Sequence, residues 1–178
     1  LLPLVVMALE HALKTLEAGN GKIHQLDGGG DYGTQNGLLI SKPMFRSFFK
    51  DLYVNFYREI KKNFDVEIFF HSCGGIAELI PELIEVGVTI LDPIQRTAAG
   101  MDIRNLKQTF GKDLTFHGAI DVQQVLPKYT PEQLAEEVRE TIEILGAGGG
   151  YILAPTHNLQ FDTPMENIVT MYETAQGR

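Results

Sequence analysis

The triplet His71-Ser72-Cys73 carries the sharpest chemical signal in the chain. It follows an apolar run, Val66-Glu67-Ile68-Phe69-Phe70, that reads as a β-strand. Residues two apart on extended backbone point the same way, so an imidazole and a thiolate placed here could grip one zinc ion. The competing reading is a buried cysteine acting as a small apolar group beside a histidine bonded to backbone. A catalytic zinc usually takes three protein ligands. His157, which follows the last apolar run Tyr151-Ile152-Leu153, is the third candidate. Its ring could ligate metal or hydrogen-bond a substrate, and a lone histidine is often merely structural.

Other polar residues recur where apolar runs end. Asp27 and Asp31 flank Gly28-Gly29-Gly30, a flexible stretch that could bring a carboxylate to a ligand or simply be turn chemistry. Asp31-Tyr32-Gly33-Thr34-Gln35 is dense in hydrogen-bonding groups, which favours function; Asp31 is read as catalytic and Gln35, with Asp27, as substrate-binding. Asp92 precedes Pro93, and His117 follows Leu114-Thr115-Phe116; both are candidates for substrate contact. Asp121 reads as a cap for the short segment 122–126.

These residues need elements to carry them. Residues 3–18 read as a helix with Leu9, Leu13 and Leu16 on one face, stopped by Gly19-Asn20-Gly21. Ile23 to Asp27 reads as a strand running into a loop over 28–37, and Ser41 caps a long helix with an apolar face of Phe45, Phe48, Phe49, Leu52, Phe56 and Ile60. A helix over 76–86, a strand over 88–91, a helix over 102–110 and a strand over 114–116 follow. Thr130-Pro131-Glu132-Gln133 is a capping box opening a helix to Gly146, and Thr163-Pro164-Met165-Glu166 reads as a second box opening the last helix. Strand ends come about every 31 residues, the spacing of βα units in a parallel sheet with strands buried on both faces.

Two α/β architectures compete, a doubly wound sheet and a (β/α)8 TIM barrel. No G-x-G-x-x-G follows a strand, whereas polar groups follow every one of them, the habit of a barrel whose catalytic residues line one rim. A barrel needs eight strands and about 250 residues, and this chain of 178 supplies five βα units. The expectation is therefore one domain, residues 1–178, forming the C-terminal part of a barrel, either cut from a longer polypeptide or associated with a second copy as a homodimer.

Composition narrows the classes. Net charge is −8, which argues against a nucleic-acid partner. Apolar residues are 44%, the range of a globular chain. The single cysteine suits a reducing, cytoplasmic compartment. The apolar opening lasts nine residues, against about 20 for a membrane span, and it lacks the marks of a signal peptide.

Taken together, Asp31-Tyr32-Gly33-Thr34-Gln35, Leu39-Ile40-Ser41-Lys42-Pro43, His71-Ser72-Cys73-Gly74-Gly75, Gly118-Ala119-Ile120-Asp121 and Thr163-Pro164-Met165-Glu166-Asn167 resemble the uroporphyrinogen decarboxylase superfamily. That group includes the methylcobalamin:coenzyme M methyltransferases and related corrinoid enzymes. The resemblance runs from Ile23 to Ala175, matches the C-terminal half of members, and implies a (β/α)8 barrel. In the methyltransferase branch a His-x-Cys pair and a later cysteine bind zinc, which activates a thiol. His71 and Cys73 match the pair, while Thr156-His157 stands where the later cysteine would fall. In the decarboxylase branch a histidine in a Gly-His-Gly turn contacts substrate, and His157 occupies that place within Thr156-His157-Asn158. That branch also relies on an N-terminal Arg-rich loop and on an Asp that grips the tetrapyrrole nitrogens, both outside the matched half.

A carboxylate-rich tetrapyrrole calls for clustered arginine, and only Arg96 and Arg104 lie near a rim loop. The resemblance thus implies a methyltransferase using zinc on His71, Cys73 and His157, with a corrinoid or cobalamin methyl carrier and a small-molecule or corrinoid-protein substrate. Uroporphyrinogen decarboxylation is the alternative, and a fragment that binds corrinoid or tetrapyrrole without turnover is the third reading. By itself a chain with part of the rim is expected to turn nothing over.

Overall fold

Five of the apolar runs pair side by side as parallel strands, in the order of the chain. The computed structural model describes residues 2–177. Helix α1 (Leu2–Gly19) precedes strand β1 (Gln25–Gly29), which pairs with β4 (Glu67–His71). Strands β5 (Ile90–Asp92), β6 (Thr115–Ile120) and β7 (Tyr151–Pro155) continue the sheet. Between β1 and β4 lie a short hairpin, β2 (Gly33–Thr34) and β3 (Gly37–Leu38), then α2 (Lys42–Phe45) and α3 (Asp51–Asn63). Helices α4 (Ile80–Glu85), α5 (Ile103–Phe110), α6 (Val125–Lys128) and α7 (Pro131–Gly146) fill the remaining crossovers, and α8 (Met165–Ala175) follows β7.

Strand alternation divides the sheet into two faces. Ile68, Phe70, Leu91 and Phe116 point outward and are buried in one cluster with Ile60 of α3, Leu83 of α4, Leu106 of α5 and Leu145 of α7. The opposite, concave face carries Phe69, His71, Asp92 and His117, because the register sets Phe69 beside Ile90 and His71 beside Asp92. Burial on both faces holds for β5, whose residues are all buried. It fails for the outer strands β1 and β7, whose concave sides lack a covering neighbour; Ile152 is 41% exposed there.

Several local expectations need correcting. β1 begins at Gln25 and extends through Gly29, since Gly30 N–H still bonds His71 O at 2.9 Å. The 28–37 stretch contains a hairpin as well as loop. The long helix after Ser41 is interrupted by a π-helical turn over Arg46–Lys50, which stretches the inward spacing to four residues. Phe45, Phe49, Tyr53 and Tyr57 therefore face the core and Phe48 is left 60% exposed. The capping box at Thr130 is present on α7. The one expected at Thr163 is not: Pro164 is the N-cap residue of α8, and the buried Thr163 Oγ1 has no partner. Asn167 Nδ2 instead bonds Leu126 O and Tyr129 O at 2.8 and 2.9 Å, tying α8 to the end of α6.

The π turn also aims Arg46 and Lys50 at Glu82 of α4, which is 3% exposed. These two cations hold the Glu82 carboxyl down at about 2. A depressed carboxyl stabilises the fold fully above its unfolded value, near 4.3, and loses that contribution as pH falls towards about 2. Glu82→Gln should cost about 1–3 kcal/mol at pH 7 and flatten the acid limb of the stability curve between those two values, measured by urea unfolding across pH.

Candidate functional site

The motif at the end of β4 assigns a separate task to each residue. His71 lies on the concave face and donates from Nδ1 to Asp92 Oδ2 at 2.6 Å. Ser72, fully buried, accepts the Tyr32 N–H on Oγ at 3.0 Å and so fastens the segment after β1 over the end of β4. Cys73 donates its N–H to Asp31 Oδ1 at 2.9 Å. Gly74 has φ +87°, and a Cβ there would lie 2.6 Å from Thr34 N. The two segments can approach this closely because the side chain is missing. Gly75 N–H bonds Thr34 O at 2.8 Å and Ala99 N–H bonds Gln35 O at 2.9 Å, so the hairpin is stapled to the loops after β4 and β5.

The result is a compact donor set. Asp31, His71 and Cys73 present one ligand atom each within 4.8 Å of one another, and among the described residues no other group of three His, Cys, Asp or Glu does so. His71 Nε2 is 3.5 Å from Cys73 Sγ and 3.6 Å from Asp31 Oδ1. Tetrahedral zinc with bonds of roughly 2.0–2.3 Å sets its ligand atoms about 3.3–3.8 Å apart, so these separations fit a zinc-sized cation. Nitrogen, sulfur and oxygen donors suit it as well. Asp92 at Nδ1 leaves the Nε2 lone pair of the neutral ring towards the cluster, the arrangement by which a carboxylate orients a metal-binding histidine.

The electrostatics agree with a place for a cation. The hydrogen bond to Asp92 raises the His71 pKa above its ordinary value. Burial, with Asp31 and Asp92 adding repulsion, pushes the Cys73 thiol up to about 11. Burial opposes ionisation of Asp92, but hydrogen bonds from His117 and His71 outweigh it and hold that carboxyl below its usual range. A divalent cation among these groups would reverse the penalty on the thiolate.

The other candidates take distinct places. His117 Nδ1 meets Asp92 Oδ1 at 2.6 Å, so both oxygens of Asp92 are engaged by imidazoles. Its ring stacks edge-on to Phe69 at 5.1 Å. His157 is exposed on the loop after β7, outside the three-residue cluster, and lines both the cavity beside Cys73 and the smaller one beside His117. Gln35 lines the first of these, a cavity of about 490 Å³. Asp27 stands apart: it accepts from Gln25 Nε2 at 2.7 Å and borders a different cleft, lined by Tyr53 and Tyr57. Asp121 Oδ1 accepts the N–H groups of Gln123 and Gln124, the capping task expected of it.

Sequence reasoning gave Asp31 a catalytic task and overlooked it as the third donor. Nothing in its spacing links it to Cys73, 42 residues away, until the glycines let the loops touch. It also overlooked Gln95, which is 7% exposed and accepts the Gly74 N–H, as well as Gln123 and Gln160 on the same cavity. Single glutamines in separate loops form no motif.

Comparison with known proteins gives this geometry a setting. The family model described as uroporphyrinogen decarboxylase (URO-D) matches residues 7–178. A methylated-thiol–coenzyme M methyltransferase of Methanosarcina mazei is 25% identical over 130 residues, which is 73% of this chain and 32% of that protein. Among solved structures, a methyltransferase from Methanosarcina mazei superposes with a TM-score of 0.74 at 18% identity, over 97% of this chain and 47% of that one. A Yersinia pestis dihydropteroate synthase solved with a sulfonamide drug gives 0.56 at 18%, over 97% and 61%. At such identities the two structures share the fold alone, that of part of a (β/α)8 barrel. The chain spans about a third of the curated relative and about half of the solved methyltransferase.

The close approach at Gly74 is the weak point of the site. Gly74→Ala places a methyl group against backbone in a left-handed conformation, and should cost about 1–3 kcal/mol. The loss should read as a lower Tm, with faster hydrogen exchange at the Cys73 and Gly75 amides than at the core strands.

Proposed function

The chain belongs to the uroporphyrinogen decarboxylase family, and on that premise we propose that it is the metal-bearing part of a methyltransferase in which zinc on Asp31, His71 and Cys73 activates a thiol towards a corrinoid methyl carrier. One observation carries the reading: Asp92 holds His71 Nδ1 at 2.6 Å while Nε2 faces Cys73 Sγ at 3.5 Å. A bound zinc would supply a Lewis acid that keeps thiols ionised at neutral pH. The chain's own residues do the rest. Asp92 fixes the His71 ring and raises its basicity. Cys73 N–H holds Asp31 in place, and the exposed side of Asp31 leaves room for an incoming ligand. His157 and Gln35 border the cavity through which that ligand would approach. The name of the curated relative, a methylated-thiol–coenzyme M methyltransferase, supports a thiol or thioether as the reacting group.

Within this chain the arginines near the rim offer no support for the decarboxylase alternative. Arg96 is paired with Glu137 and Arg104 with Glu140, both on α7, so neither stands free to bind a carboxylate-rich tetrapyrrole. A binding protein without turnover would need no thiolate activation, and the Asp92–His71–Cys73 arrangement would then be without purpose.

Metal analysis tests the reading. The purified protein should hold one zinc, lost in His71→Ala and Cys73→Ala, while Asp92→Asn should weaken zinc by about 10–100-fold. His157→Ala should retain the metal, since His157 lies outside the three-residue cluster. Zinc-free protein from zinc-replete medium, or full occupancy in Cys73→Ala, would defeat the proposal. Decarboxylation of uroporphyrinogen, followed by chromatography, would install the alternative.

A further inference from the structure

The cavity beside Cys73 draws one glutamine from each of four rim loops: Gln35 from the turn of the β2–β3 hairpin, Gln95 after β5, Gln123 after β6 and Gln160 after β7. No lysine or arginine is among the residues described as lining it, and the carboxylate there is Asp162. Each amide has part of its hydrogen-bonding capacity already engaged. Gln95 Oε1 accepts the Gly74 N–H, which leaves Nε2 for the cavity. Gln160 Nε2 donates to Asn158 O at 2.9 Å, which leaves Oε1. Gln35 Nε2 faces Gln123 Oε1 at 3.5 Å, which leaves Gln35 Oε1 and Gln123 Nε2. Turning both amides of that pair over still leaves one donor and one acceptor. The four amides thus offer donors and acceptors in balance.

A primary carboxamide complements such a surface, because one planar group both donates and accepts. A carboxylate does not. It brings acceptors alone, leaves the glutamine oxygens unpaired, and carries negative charge towards Asp162. We propose that Gln35, Gln95, Gln123 and Gln160 form a recognition belt for primary carboxamides on the ligand, selecting an amide-edged molecule over its carboxylate-edged counterpart. The inference rests on the methyl-transfer reading, in which the carrier is a corrinoid, a macrocycle edged with primary carboxamides. At about 490 Å³ the cavity receives an edge of that ring with its amide arms, and the remainder of the ring stays outside.

Equilibrium dialysis with cobinamide and with cobyrinic acid, the same ring bearing carboxylates, tests the belt, with zinc content read on the same samples. Cobinamide should be retained and cobyrinic acid bound about tenfold or more weakly. Gln123→Glu and Gln160→Glu, both at exposed positions that tolerate substitution, should each weaken cobinamide by about tenfold while circular dichroism and zinc content stay unchanged. Equal retention of the two rings, undiminished cobinamide binding in both variants, or no cobinamide binding by folded protein would overturn the belt. Amide selectivity in a protein that binds no zinc would leave the belt standing and remove methyl transfer; zinc without amide selectivity would do the reverse.

Discussion

Asp92 is the hinge of the site because its two oxygens are each held at 2.6 Å by a different imidazole. A carboxylate 8% exposed would ordinarily resist ionisation, and two N–H donors reverse that preference. Anionic Asp92 in turn orients both rings by their Nδ1 atoms and frees both Nε2 atoms for other work. His71 and His117 come from strands on either side of β5, so one side chain couples three neighbouring strands at their C-terminal ends. Position and protonation are thereby set together, by the same two hydrogen bonds.

The cluster beside it depends on backbone more than on side chains. Asp31 can meet Cys73 because Gly29, Gly33 and Gly74 let the segment after β1 press onto the end of β4. Ser72 locks that contact from beneath, through the Tyr32 amide. Tyr32 itself is buried against Phe45, Phe49 and Phe70, so the loop bearing Asp31 is anchored in the same aromatic cluster that the π turn of the following helix creates. A donor set that would be expensive to hold on a free loop is thus tied to the core by one aromatic residue next in sequence.

What the sequence disclosed follows the range of each interaction. The βα alternation, the α7 capping box and the His71–Cys73 pair depend on spacings of two to four residues, which a linear reading measures directly. The π turn escaped because Phe45, Phe48 and Phe49 satisfy an α-helical period just as well, and only the packing of Tyr53 and Tyr57 selects the wider one. The absent box at Thr163 shows the converse, a local motif overridden when Asn167 is drawn inward to the carbonyls of Leu126 and Tyr129. Asp31 as partner of Cys73, and the glutamines as partners of one another, arise from contacts between loops tens of residues apart, for which no periodicity exists.

The distribution of charge around the rim separates the chemistries that this fold can host. Arginine is present at the loop after β5, but Glu137 of α7 takes it, with Thr141 Oγ1 as a further acceptor at 3.3 Å, so the cation serves helix packing. Neutral amides occupy the cavity instead, and the remaining charges nearby are carboxylates. The same rim sets Asp31 and Asp92 close to the Cys73 sulfur, where burial first and these two carboxylates second keep the thiol protonated. A small divalent ion held there would offset both the burial and the repulsion that oppose the thiolate.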